Sequence, residues 1–153
     1  MRNNNNYNKS QKATLPVVNF SREAKELYRQ CRELDSISQQ NLQDLAHRVC
    51  GAFQIPIIPV VFDGVQPKVV KQSTRGKMSI KTQGLFIRSF LGSNIQIYRW
   101  TAARRQQRSA KGSISTLLHE LVHYMDYEVS NLPKSIHSRG FYNRIRQLTE
   151  MLS

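Results

Sequence analysis

The sequence predicts an α+β fold, with helical segments at both ends of the chain and short strands between them. Three observations carry this expectation. Apolar residues from Ala24 to Val49 recur at helical spacing. Pro56 and Pro59 then forbid helix, and short β-rich runs follow as far as Trp100. From Ile114 to Leu152 helical spacing returns in two blocks, separated by a loop containing Pro133. With 153 residues and 39% hydrophobic content, the chain suits one domain around one core.

Residues 1 to 17 are expected to form a flexible tail, because an asparagine-rich segment buries too little apolar surface to order itself. The tail also lacks the apolar core of a secretory signal. The domain would then occupy residues 18 to 153. From Ser21 to Cys50 the pattern is helical through Leu27, Tyr28, Cys31 and Leu34, then Leu42, Leu45 and Ala46. Ser36 with Gln39 resembles a capping box, which makes this one helix or a helix pair. Gly51 ends it.

Ile57 to Phe62 reads as a first strand, near a sheet edge because of Pro59. Asp63-Gly64 signals a turn. Residues 65 to 83 are polar and cationic, with a candidate strand around Lys77 to Lys81. Gly84 to Phe90 and Ile95 to Trp100 are clearer strands, joined through Gly92-Ser93-Asn94. The sheet is therefore small, and antiparallel or mixed. Ser113 to Asp126 forms an amphipathic helix through Ile114, Leu117, Leu118, Leu121, Val122 and Met125, started by Gly112 and Ser113. Phe141, Ile145, Leu148 and Leu152 mark a last helix.

Composition excludes several classes. No apolar run approaches the roughly 20 residues of a membrane span, so no membrane partner is expected. The two cysteines, Cys31 and Cys50, are expected as small buried residues in a reducing compartment, which points to the cytoplasm. The net charge is +13, and its distribution is uneven. Between Gly64 and Leu118 lie eleven cations and no acid, whereas residues 20 to 63 carry five cations and six acids. Such a field attracts polyanions, nucleic acid above all.

The chemistry of the chain concentrates in His119-Glu120-Leu121-Val122-His123. Two histidines four apart on a helix sit roughly 40° apart around its axis and about 6 Å along it, so both imidazoles reach one metal ion. Glu120 faces the same opening and can act on water at the metal. This is the HExxH arrangement of zinc hydrolases. The competing reading, a core helix with two satisfied histidines, must set three polar groups beside an apolar stripe without partners.

A catalytic zinc site takes three protein ligands and keeps one position open. Of the four histidines, His47 lies far upstream in another helix, while His137 follows a loop, Ser130 to Ser135, long enough to reverse the chain. His137 is therefore the candidate third ligand. Asp126 and Glu128 compete for that place, and Asp126 is better suited to orienting a ligand histidine through a hydrogen bond that fixes its tautomer.

Leu117 to Asp126, followed by His137-Ser138-Arg139-Gly140-Phe141-Tyr142-Asn143-Arg144-Ile145, resembles the SprT-like metallopeptidase domain, which includes Spartan-type proteases acting on proteins crosslinked to DNA. The resemblance is sharp over about residues 113 to 148 and looser from Ile55 to Trp100. It implies a zincin-like fold: an N-terminal helix or helix pair, a small sheet, the active helix and a C-terminal helix. It also implies one zinc ion held by His119, His123 and His137, with Glu120 as general base in peptide-bond hydrolysis. Family members often place glycine directly after the third histidine, whereas here Gly140 lies three positions on. Two cysteines do not make the cysteine-based zinc modules of many relatives, so any DNA contact must come from the domain itself.

Arg99, Arg104, Arg105, Arg108 and Lys111 lie just before the active helix and are the candidate nucleic-acid contacts. Trp100, Tyr98 and Phe90 are candidates to stack on unpaired bases. In zincin folds the strand before the active helix often borders the cleft as an edge that pairs with extended substrate. Tyr98, Tyr124, Tyr127 and Tyr142 are unranked candidates for stabilising the oxyanion. The alternative function is a non-catalytic nucleic-acid-binding module whose zinc is structural.

Overall fold

Four serines set where the main helices begin. Ser21, Ser38, Ser109 and Ser138 each accept a hydrogen bond from the backbone amide three residues on, at 3.0–3.1 Å. The computed structural model describes residues 2–73 and 76–153. The side chains of residues 69–81, Lys71, Lys77 and Lys81 among them, lie outside that description, as does Arg75.

The helices that follow these caps are α2 (Arg22–Arg32), α3 (Gln39–Ala52), α4 (Ala110–Glu128) and α5 (Arg139–Leu152). The segment from Ser21 to Cys50 is thus a helix pair, capped at Ser38 and not at Ser36. Buried Ile37 anchors the connection in the core. Gly51 lies inside the last turn of α3, and Gln54 takes the left-handed conformation that ends it. Helix α4 starts three residues earlier than its apolar pattern suggests, because Ser109 caps it.

The strands are β1 (Val60–Phe62), β2 (Lys68–Ser73), β3 (Gly76–Lys81), β4 (Gly84–Ser89) and β5 (Gly92–Ile97). β2 and β3 form a separate antiparallel hairpin, so the expected strand around Lys77 is β3. The main sheet has the order β1-β5-β4 and is mixed: β1 pairs parallel to β5, and β4 pairs antiparallel to it. β5 begins at Gly92 because the chain reverses in two residues, Phe90 and Leu91, with Gly92 at φ 128°.

β5, the strand nearest in sequence to α4, is therefore central and offers no free edge. Parallel pairing with β1 covers its second side, and the free edge beside α4 belongs to β4. β1 is an edge strand, as Pro59 suggests, but its outer backbone groups are not left open. Gln43 accepts from the Val60 amide (2.8 Å) and donates to the Ile58 carbonyl (3.0 Å), and Gln39 accepts from the Phe62 amide (2.6 Å). Two side-chain amides of α3 thus replace a neighbouring strand.

Val60, Phe62, Ile95 and Ile97 are buried in one core with Leu117, Leu121, Val122 and Met125 of α4; β5 lies on α4, while β1 lies on α3. Helices α2, α3 and α5 enclose the remaining sides of α4. Cys31 and Cys50 are buried free thiols. Among the described residues, no helix is long and apolar enough to cross a membrane.

Residues 1 to 17 are the segment expected as a flexible tail. Arg2–Lys12 form a helix, α1, which lies on α5 and buries Ser10. The contacts that hold this segment to α5 include several polar ones. Arg144 donates to the carbonyls of Ser10 (2.6 Å) and Ala13 (3.0 Å), and the Leu15 amide donates to Gln147 (3.0 Å). Gly140 permits the approach, since a side chain there would overlap the backbone of Ser10 and Gln11. Gly140 thus serves the crossing of α1 over α5.

Candidate metal centre

His119 and His123 project from adjacent turns of α4, and the loop after it returns His137 to face them. His137 Nε2 lies 3.2 Å from His119 Nε2 and 2.9 Å from His123 Nε2. One ring nitrogen of each histidine falls within 4.8 Å of the others, close enough to hold a metal ion. Nitrogens bound to zinc at about 2.0–2.1 Å in a tetrahedron are separated by roughly 3.3 Å, so the donor set fits that ion. Lone pairs this close need a cation or a shared proton between them. Phe141 backs the cluster, its ring centroid 4.4 Å from that of His123.

A buried chain of hydrogen bonds sets the state of His123. Arg144 donates from Nε to Asp126 Oδ1 (2.8 Å) and from Nη2 to Asp126 Oδ2 (3.1 Å), and both side chains are 0% exposed. Ser135 Oγ donates to Asp126 Oδ2 at 2.7 Å, which uses its one proton. At 2.6 Å from Ser135 Oγ, His123 Nδ1 must therefore donate, which leaves Nε2 bare toward the metal position. Burial, with the neighbouring His119, His137 and Arg144, pushes the His123 pKa down to about 3, so the ring is neutral. Burial and His137 lower His119 as well.

Asp126, expected to orient a ligand histidine directly, reaches His123 only through Ser135. Ser135 and Arg144 were not legible as site residues. Only the resemblance covers Arg144, and nothing in the spacing marks Ser135.

Glu120 lies beside the three histidines, 6% exposed, in a cleft of about 760 Å³. Burial pushes its pKa up to about 7, and the Phe86 backbone amide opposes that shift. A cation held by the three histidines favours the ionised carboxylate. One wall of the cleft is α4, and the other is the start of β4, Gly84 to Phe86.

Arg108 belongs to this cleft and not to a phosphate-binding surface. It is 8% exposed and donates to the carbonyls of Gln83 (3.0 Å), Tyr98 (3.1 Å) and Gly112 (3.3 Å) and to Thr116 Oγ1 (2.8 Å). It ties the sheet to the first turns of α4, and burial lowers its pKa. A string of arginines in sequence carries no information about which one turns inward.

The remaining expected nucleic-acid residues differ in their surroundings. Arg99 is half-buried over the rings of Phe62 and Trp100. Arg104 and Arg105 are exposed in the turn before α4. Lys111 is exposed in a separate depression that also holds Glu33 and Asp35. Phe90 is fully exposed at the β4–β5 reversal, while Tyr98 and Trp100 are half-buried.

Of the tyrosines, Tyr124 is buried and donates to the Pro56 carbonyl at 2.8 Å, away from the cleft. Tyr127 lines the cleft, accepting from the Ser135 amide at 3.2 Å. Tyr142 stands with its ring centroid 6.0 Å from that of His137.

His137→Ala is expected to weaken zinc binding beyond the roughly 10–100-fold loss typical of removing an outer partner. Isothermal titration of the full chain measures this directly. Asp126 cannot substitute, because its oxygens are already engaged by Arg144 and Ser135, and unchanged affinity would promote Glu128. Compared with family models, curated proteins and solved structures, the chain has no match.

Proposed function

We propose that this chain is a zinc-dependent endopeptidase with a zincin-like fold, related to the SprT-like metallopeptidases it resembles. The observation that carries the reading is the convergence of His119, His123 and His137 beside a buried Glu120 on an open cleft. A structural zinc takes four protein ligands, whereas three histidines with an adjacent carboxylate leave a position for water. Bound zinc acidifies water and polarises the scissile carbonyl.

The protein's own groups do the rest. Glu120 accepts the proton of the attacking water and passes it to the leaving amine, so water and peptide become acid and amine. Tyr127, which lines the cleft, and Tyr142, beside His137, are the candidates to approach the carbonyl oxygen. The free edge of β4 supports an extended substrate by strand addition, which reads backbone more than side chains.

Proteins held on DNA are the proposed substrates, and a reducing compartment such as the cytoplasm suits the two free thiols. The polyanion partner is supported by the charge of +13 and by exposed Arg104 and Arg105.

The test is cleavage of an unfolded protein by zinc-loaded enzyme, titrated with single-stranded DNA, duplex and RNA at two salt concentrations. Activity lost to a chelator and restored by zinc is the expected result. Charge reversal at Arg104 and Arg105 should reduce the salt slope of duplex binding by about 0.9 per lost phosphate contact. Zinc-bound protein that binds DNA but cleaves nothing would favour the binding module instead.

A further inference from the structure

An unbroken run of hydrogen bonds joins the N-terminal segment to the metal ligands. On one side Arg144 donates to Ser10 O, Ala13 O and Ser10 Oγ, at 2.6, 3.0 and 3.2 Å. On the other it holds Asp126, which accepts from Ser135, which in turn accepts from His123. Ser10 Oγ also meets Ser138 Oγ at 2.7 Å, the cap of α5 immediately after His137. The segment therefore touches the supports of two of the three ligands.

We propose that residues 10–13 are a strap on the metal centre, so that docking of the strap on α5 and cation binding by the three histidines form one linked equilibrium. This rests on the metal-centre reading above. Arg144, Asp126 and Ser135 are its positioning residues. The guanidinium is fully buried and its donors are divided between the two sides. When the strap lifts, Arg144 loses three acceptors, and it regains them only by turning toward water and away from Asp126. Asp126 then no longer holds Ser135 as a donor, and the tautomer of His123 is no longer imposed.

The strap is the part suited to move. Its own grip is largely polar: Gln11 Oε1 accepts from the Gly140 amide at 2.8 Å, and the backbone crosses where Gly140 has no side chain. Segments held by few apolar contacts open at lower free energy than the core. Linkage is reciprocal, so a bound cation must strengthen docking by the same factor that docking strengthens cation binding.

The test is amide hydrogen exchange on the full chain with and without zinc, read at the strap amides up to Ala13, with the amides of α3 as internal reference. Zinc is expected to slow the strap amides by about fivefold or more beyond any slowing in α3. Gly140→Ala, whose methyl overlaps the strap, should speed strap exchange and weaken zinc binding by about tenfold. In Ser135→Ala, zinc should still bind, more weakly, and should no longer protect the strap selectively.

Equal protection of strap and α3 in the natural chain overturns the linkage. So does undiminished zinc affinity in Gly140→Ala once its strap exchanges fast. If the natural chain takes up no zinc at all, the metal-centre reading itself falls. Zinc binding with an indifferent strap sinks only the linkage.

Discussion

Glu120→Gln is expected to lower peptide-bond cleavage by about two to four orders of magnitude while zinc remains bound, the range that a positioned general base contributes. The substitution keeps the shape of the side chain and an oxygen to face the Phe86 amide, and it removes the group that accepts the proton. It also replaces a buried carboxylate, raised to about 7 by burial, with a neutral amide. Stability should therefore hold or rise, so lost activity cannot be attributed to unfolding. Metal analysis and thermal melting beside a single-turnover cleavage assay separate the effects. Retained cleavage would remove Glu120 from the chemistry, and lost zinc would make it part of the metal site.

Arg144→Met should destabilise the fold by about 3–5 kcal/mol, because it leaves Asp126 charged and unpaired where no water reaches it. For a small domain of ordinary stability, roughly 5–15 kcal/mol, that is a large share of the total. Urea unfolding followed by circular dichroism measures it. The double variant Asp126→Leu/Arg144→Met should recover much of this loss, since replacing both partners of a buried pair by apolar groups is often nearly neutral. Zinc affinity should not recover with it, because Ser135 would have no acceptor to orient it toward His123. A double variant with full zinc affinity would show that the pair supports the fold alone.

The legible part of this molecule is the part with local causes. Helical periodicity places His119, Glu120 and His123 on one side of α4 whatever surrounds the helix, so the motif was readable from five residues. His137 was readable because few histidines exist and the loop before it can reverse the chain. The serine caps, too, act within three residues of themselves, although the apolar pattern of α4 disguised its true start at Ser109. Even the edge position of β1 followed from the single missing amide of Pro59.

Long-range pairing lay beyond that reach. The parallel partnership of β1 with β5 makes β5 central and leaves the cleft edge to β4, and no feature of either strand announces it. Arg108 and Arg104 look alike in sequence, yet one fills a nest of carbonyls and the other meets solvent.

The sequence by itself determined the helix that carries His119, Glu120 and His123 on one side, because helix geometry is dictated by neighbours a few residues apart. Only the tertiary structure decided that Ser135 stands between Asp126 and His123. The same is true of Arg144, which reaches back more than 130 positions to Ser10 and turns a polar N-terminus into part of the site. Such contacts depend on which surfaces meet once the core has formed, and hydrogen bonds between distant polar groups leave no periodic trace in the chain.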